Sequence, residues 1–259
     1  MIQLPEDVKV VSHEGNTAVL EIGPLLPGYG PTIANPLRRV LFSSLEGAAV
    51  TSVKIRGVDH EFSSLAGVQE DVIEVILNIK KIRFRSYAEG AVTVTLDKKG
   101  DGPVTAADIK LSADVEVIND GQHICTITDR KTELSMELTI EKGVGYVPVE
   151  QRQKEKLPIG VIAIDAIFSP VRSVNFKIED IRVGQRIDFN KVTLEVETDG
   201  SITPEQAVKS AAEILVNHFT VVSQLEAKAP EKASVKKPRK SKVKEEVKEE
   251  VAPEAGIEE

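Results

Sequence analysis

Helical and strand-like periods of apolar residues alternate along this chain. Residues 8–11 and 17–22 predict two short strands, joined by a turn-rich Ser-His-Glu-Gly-Asn link. Further on, Leu37, Val40, Leu41 and Leu45 recur at helical spacing, with Arg38, Arg39, Ser43 and Ser44 on the opposite side. Gly28 and Gly30 flank Tyr29 and Pro31 follows, so the backbone is expected to turn there first. Asn35-Pro36 then predicts a helix start, an Asn cap followed by a proline whose missing N–H costs nothing at the first position. Any turn beginning at Thr32 is expected to kink or end before Pro36. The predicted helix covers residues 35–45.

After Gly47, Val50, Val53 and Ile55 are apolar, with Lys54 and Arg56 between and beyond the last two, as in a half-buried strand. A second helix is predicted over about residues 68–82. Its stripe is Val68, Val72, Val75, Ile76 and Ile79, with Glu70, Asp71 and Glu74 early and Lys80, Lys81 and Arg83 late, which suits the helix dipole. Between about residues 84 and 183 the period falls to two in VTVTL, DVEVI, HICTI, LSMELTIE, VIAIDAIF and VNFKIEDIRV, which implies antiparallel sheets. VTLEVET adds a strand closed by an Asp199-Gly200 turn.

A last helix opens with Thr203 as cap, Pro204 at the first position and Gln206 three residues after the cap. Val208, Ala211, Ala212, Leu215, Phe219, Val222 and Leu225 form one seam, and Ala207, Ile214 and Val221 a second row. So broad an apolar surface exceeds what one sheet needs, and part of it should be covered by another helix or another subunit. From about residue 227 the pattern stops. Residues 227–244 hold eight Lys/Arg against one Glu, and residues 245–259 seven Glu against one Lys, a composition that predicts a disordered tail.

The chain has 259 residues, enough for one or two domains with a real core. Cys125 is its one cysteine, which excludes an intrachain disulfide or a cysteine zinc site and fits a reducing compartment. MIQLPEDVKVV lacks the marks of a signal peptide and no run reaches membrane-spanning length, so a cytoplasmic location is expected. The net charge of −8 argues against a general nucleic-acid binder.

Catalytic, metal-binding and cofactor-binding residues are expected to be absent. His13, His60, His123 and His218 are scattered, and His60-Glu61 has no orienting partner in the sequence. Gly28-Tyr29-Gly30 and Gly143-Val144-Gly145 lack the third glycine of a dinucleotide site and the Gly-Lys-Ser/Thr of a phosphate loop. No Asp-x-Asp-x-Asp run is present to hold the two magnesium ions of a polymerase centre; Asp165, Asp180, Asp188 and Asp199 stand apart.

The blocks GYGPTIANPLRRVLFSS, AVTSVKIRGVDHEFS and GVQEDVIEVILNIK, then GPVTAADI, GYVP, PIG and SPV, occur in order over about residues 5–226. Together they closely resemble the N-terminal domain of the bacterial RNA polymerase alpha subunit. The resemblance implies an α+β, two-lobed fold. Residues 1–46 and 171–226 would form a dimerisation lobe with two packed helices on a small sheet. Residues 47–170 would form an inserted, mostly antiparallel β domain, and residues 227–259 a charged tail where relatives carry a second, DNA-binding domain.

By the same resemblance the chain is a non-catalytic subunit of a nucleotidyltransferase complex: a homodimer that recruits beta and beta-prime, with magnesium and zinc on those partner subunits. It would reach DNA only through the complex or weakly through the tail, and no membrane. Arg39 with Phe42 falls in the implied beta contact, and Lys80 and Ile164 in the implied beta-prime contact. Leu37, Val40, Leu41, Ile214, Leu215, Phe219 and Val222 fall in the implied dimer interface. Phe42 stands where relatives commonly have leucine, and Pro36 where many have a small residue. A free-standing homodimeric binding module, unrelated to transcription, is the alternative.

Overall fold

The computed structural model describes residues 7–152 and 158–225. The described residues up to Ser223 form one compact unit. Two strands, β1 (Asp7–Glu14) and β2 (Thr17–Leu25), make a hairpin, followed by α1 (Tyr29–Ser43) and β3 (Glu46–Ile55). The middle of the chain runs through α2 (Val72–Ile79), β4 (Phe84–Ser86), β5 (Val92–Lys99), β6 (Gly102–Thr105), β7 (Ile109–Lys110), β8 (Val115–Val117), β9 (His123–Ile127) and β10 (Glu133–Val144). Then come β11 (Tyr146–Val147), α3 (Val149–Arg152), β12 (Val161–Ala163), β13 (Ala166–Ile167), β14 (Val171–Val183), β15 (Arg186–Thr198) and α4 (Pro204–Ser223).

These elements build an α+β fold of two lobes around two separate cores. One lobe is an antiparallel sheet in the order β1-β2-β15-β14, with α1 and α4 on one face. Its core joins Leu20, Ile22, Leu37, Leu41, Val192 and Leu194 to Ala207 and Ala211. The other is centred on a seven-stranded sheet, β7-β5-β10-β3-β4-β8, with β12 also paired to β3. Its core packs Val53, Val75, Ile79, Leu96, Leu138 and Ile140. Where the chain passes between them, Phe168 fits against two glycines: a Cβ on Gly47 would lie 1.8 Å from the Phe168 carbonyl oxygen, and one on Gly143 2.6 Å from its ring.

The structure moves several predicted boundaries. α1 begins at Tyr29 and runs through Pro36 instead of starting there. Its buried stripe, Gly30, Ala34, Leu37 and Leu41, spans the proline, so packing outweighs the roughly 3 kcal/mol that an interior proline costs. Leu45 lies beyond the helix but is buried in the same core. The second helix is α2 alone, because Asp71 caps it by accepting from the Glu74 N–H at 2.8 Å. Val68 instead bridges to Ile127, and Glu70 reaches β9, accepting from the Thr126 N–H at 2.6 Å. VIAIDAIF is not one strand; it breaks at Ile164-Asp165 into β12 and β13. The cap at Thr203 forms as predicted, its hydroxyl accepting from the Gln206 N–H at 3.3 Å. The predicted tail lies outside the described residues.

Candidate assembly site

α1 is held at its N-terminus from a distance. Asn190, on β15, accepts from the N–H of Gly28 at 2.9 Å and of Gly30 at 3.4 Å, two donors that a helix leaves unsatisfied. Its amide donates in turn to Asp180 on β14 at 2.8 Å. Close packing fixes the same end, since a Cβ on Gly30 would lie 2.9 Å from Ile178. With the apolar stripe turned inward, Arg38, Arg39 and Phe42 are turned outward and line a hollow of about 350 Å³ with Asn35 and Ser43. Neither arginine pairs with a described carboxylate. Arg39 and Phe42, three residues apart, share a face of the helix.

The predicted dimer residues divide between core and surface. Leu37 and Leu41 are buried in their own lobe, and what they can give a second copy is indirect: they set the rotation of α1. Val40, Ile214 and Leu215 are half-buried against that core. Phe219 and Val222 are 62% and 65% exposed, beside Val216 and Val221, also exposed. Burial along α4 thus falls from Pro204, Ala207, Val208 and Ala211, through half-buried Ile214 and Leu215, to an exposed stretch from Val216 on. The helix ends at Ser223, so Leu225 lies outside it.

On the other lobe, Lys80 and Ile164 come together at a hollow of about 720 Å³. Lys80 Nζ lies 3.2 Å from Asp165 Oδ2, and Asp165 Oδ1 accepts from the Val149 N–H at 3.1 Å. The Val149 N–H, with the Lys80 ammonium behind it, holds the Asp165 carboxyl below its ordinary range despite some burial. Ile164 is buried beneath, its N–H donating to Thr51 at 2.9 Å, and its carbonyl accepts from Arg152. Phe62, Ile73 and Leu77 rim the hollow with exposed apolar surface, and sequence reading missed all three. Ile73 and Leu77 stand four apart on α2, off the buried Val72, Val75 and Ile79 stripe, which was the signal available.

The remaining polar clusters are local. The His60 ring lies 3.2 Å from the Ser63 hydroxyl in an exposed loop at the edge of the larger hollow. Glu70 is depressed although burial opposes it, because His123 and the Thr126 N–H bond its carboxylate. Burial pushes the Cys125 thiol up to about 12. Among the described residues, no three His, Cys, Asp or Glu side chains are grouped to hold a metal, and no helix is long and apolar enough to cross a membrane.

Arginines without a described carboxylate partner beside an aromatic, an apolar helix end and a hydrophobic-rimmed hollow are features of contact surfaces, as a two-lobed α+β assembly subunit would carry. Residues 53–169 match the family described as the RNA polymerase Rpb3/RpoA insert domain. The chain is 47% identical over 237 residues to the DNA-directed RNA polymerase subunit alpha of Roseiflexus castenholzii, covering 92% of this chain and 72% of that one. The same identity, length and coverage hold for the subunit alpha of Roseiflexus sp. strain RS-1. With that of Salinibacter ruber it is 46% identical over 226 residues, covering 87% of this chain and 69% of the relative. The chain belongs to the family of bacterial DNA-directed RNA polymerase alpha subunits.

Proposed function

We propose that the chain is the assembly scaffold of a bacterial DNA-directed RNA polymerase: two copies pair, then one engages beta and the other beta-prime. Family membership makes it a subunit of that nucleotidyltransferase complex. The proposal adds the pairing, the two partners and the residues that meet them. It also takes magnesium and zinc to sit on the partner subunits, the complex to work in the cytoplasm, and residues 1–46 with 171–226 to form the pairing lobe around the inserted 47–170.

The observation that carries the pairing is the exposed C-terminal half of α4, where Val216, Phe219, Val221 and Val222 face outward on a helix whose first half is buried. A row of large apolar side chains is a contact surface by default, and an isologous contact covers it twice. Arg39 and Phe42 supply a cation and an aromatic, residue types that concentrate binding energy at interfaces. Lys80 and Ile164 shape the second docking hollow, one as its charged wall and the other from beneath its floor. Dimer and subunit contacts of this kind bury roughly 2,000 Å² or more in total.

The test is co-expression with beta and beta-prime, read by size. The wild-type chain is expected to run as a dimer alone and within a large complex when the partners are present. Arg39→Ala should keep the dimer and weaken the large complex; equal assembly by the variant would remove Arg39 from the contact. A chain that stays monomeric at micromolar concentration would overturn the scaffold itself.

A further inference from the structure

The chain passes between the lobes after α1 and again before β14. Both crossings lie together, with the Phe168 carbonyl against Gly47 and the Pro170 ring beside it. Adjoining crossings act as a hinge: they keep the lobes joined but leave them free to turn about one axis. A further contact, off that axis, is needed to set the angle.

β4 supplies it. Arg85 donates from Nε to the Ser201 carbonyl at 2.8 Å and from Nη2 to the Gly200 carbonyl at 3.3 Å. Its Nη1 donates to Glu116 at 3.2 Å, the residue directly opposite it on β8, so the guanidinium is oriented by its own lobe. Arg83 Nε lies 3.9 Å from Asp199 Oδ2, and burial holds this guanidinium below its ordinary range although the Asp199 carboxylate opposes it. The receiving turn is stiff, because Asp199 accepts from the Ser201 N–H at 2.9 Å and from its hydroxyl at 2.6 Å. A Cβ on Gly200 would lie 3.1 Å from Ile118 of the inserted lobe and 3.2 Å from Asn16 of the other, so the lobes meet closely there. A hollow of about 200 Å³, walled by Gly47 and Ala48 at the crossing and by Arg85 and Ser201 at the turn, separates this contact from the hinge.

The gripped turn runs directly into the Thr203 cap and α4. The helix that carries the exposed apolar end therefore starts from a point held by the lobe that carries the Lys80–Ile164 hollow.

We infer that Arg85 is a positioning residue: with Arg83 it clasps the inserted lobe to the Asp199-Gly200-Ser201 turn, and so fixes the angle at which α4 and the Lys80–Ile164 hollow are presented to their partners. The role rests on the scaffold proposed above and adds that both surfaces must be offered by one rigid body. A lysine cannot fill it, since one ammonium on a flexible stem does not reproduce the planar fork that reaches all of these acceptors.

The test measures the angle and the assembly separately. Glu137→Cys on the inserted sheet and Glu195→Cys on the small one, both exposed, take spin labels in the full chain, while buried Cys125 stays unlabelled. Labelled chain is diluted into unlabelled chain, so that the distance within one copy is read. With Arg85 in place the distance distribution is expected to be narrow. Arg85→Ala should widen it about twofold or more, and Arg85→Lys, which keeps the charge and the aliphatic stem, should widen it as well. Equal widths overturn the clasp. On co-expression with beta and beta-prime, both variants should keep the dimer and give roughly fivefold less of the large complex, because apparent affinity falls with the fraction of copies at the right angle. A widened distribution with undiminished complex overturns the positioning role and leaves the clasp standing. A wild-type chain that stays monomeric overturns the scaffold, while the distances still decide the clasp.

Discussion

Replacing Asn190 by alanine tests whether α1 is anchored by the sheet or by its own sequence. The side chain is 7% exposed and makes three bonds: it accepts from Gly28 and Gly30 and donates to Asp180. No side chain within α1 caps its start, where Gly28 sits in the left-handed region at φ 83°. Losing a helix cap costs about 1 kcal/mol. Leaving a buried donor without a partner adds about 1–3 kcal/mol, with the Gly30 N–H the more enclosed of the two. The Asp180 carboxylate reaches water more easily and adds little. A total of roughly 2–4 kcal/mol follows, or a melting point lowered by about 4–16 °C for a chain of this size.

Thermal and urea unfolding at one fixed protein concentration measure this, since the proposed pairing would link stability to concentration. Asn190→Asp separates the two halves of the role. It keeps the acceptor at a helix N-terminus, where negative charge is favoured, but sets a carboxylate against Asp180. It should fall between wild type and Asn190→Ala. A loss below about 0.5 kcal/mol for Asn190→Ala would refute the anchoring, because it would leave not even an exposed cap's worth of stabilisation.

Gly47→Ala should be among the most damaging single changes, costing about 3 kcal/mol or more, because its Cβ would meet a backbone oxygen 1.8 Å away that no rotamer can clear. Gly90→Ala, with nothing within 4 Å, is the matched control, and urea unfolding of both decides it. Cys125, buried with its thiol raised to about 12, should resist a thiol reagent at pH 8 in the native chain and react once the chain is unfolded. Rapid labelling of native protein would contradict that environment.

What the sequence made legible is what local rules decide. Thr203, Pro204 and Gln206 announce the start of α4 because the Thr203 cap finds its donor, the Gln206 N–H, within four residues. The period-two segments became antiparallel strands because alternation follows from the pleat. The start of α1 was misplaced because the local rule at Pro36 is outweighed by groups far away. Asn190, Asp180 and Ile178 fix a helix end some 150 residues earlier in the chain, and no spacing in the sequence signals that. VIAIDAIF was read as unbroken for a similar reason. Its alternation continues through Asp165, but that carboxylate is bonded to Lys80 and to the Val149 N–H, which pulls the backbone out of the strand path.

The site was legible to the same limit. Counting apolar residues on the two helices revealed a surplus but not where it lay, because exposure is what remains after packing within the chain. Leu37 and Leu41 share the spacing of a contact surface and are consumed by their own core, whereas Phe219 and Val222 continue the seam of Ala207 and Ala211 past the end of the sheet beneath it. Burial and contact are nevertheless linked through rotation. Once Gly30, Ala34, Leu37 and Leu41 face inward, a helix of 3.6 residues per turn has no choice but to turn Arg39 and Phe42 outward on a common face. The stripe that hides in the lobe therefore aims the exposed Arg39–Phe42 pair, and the proposed docking surface is specified by residues buried beneath it.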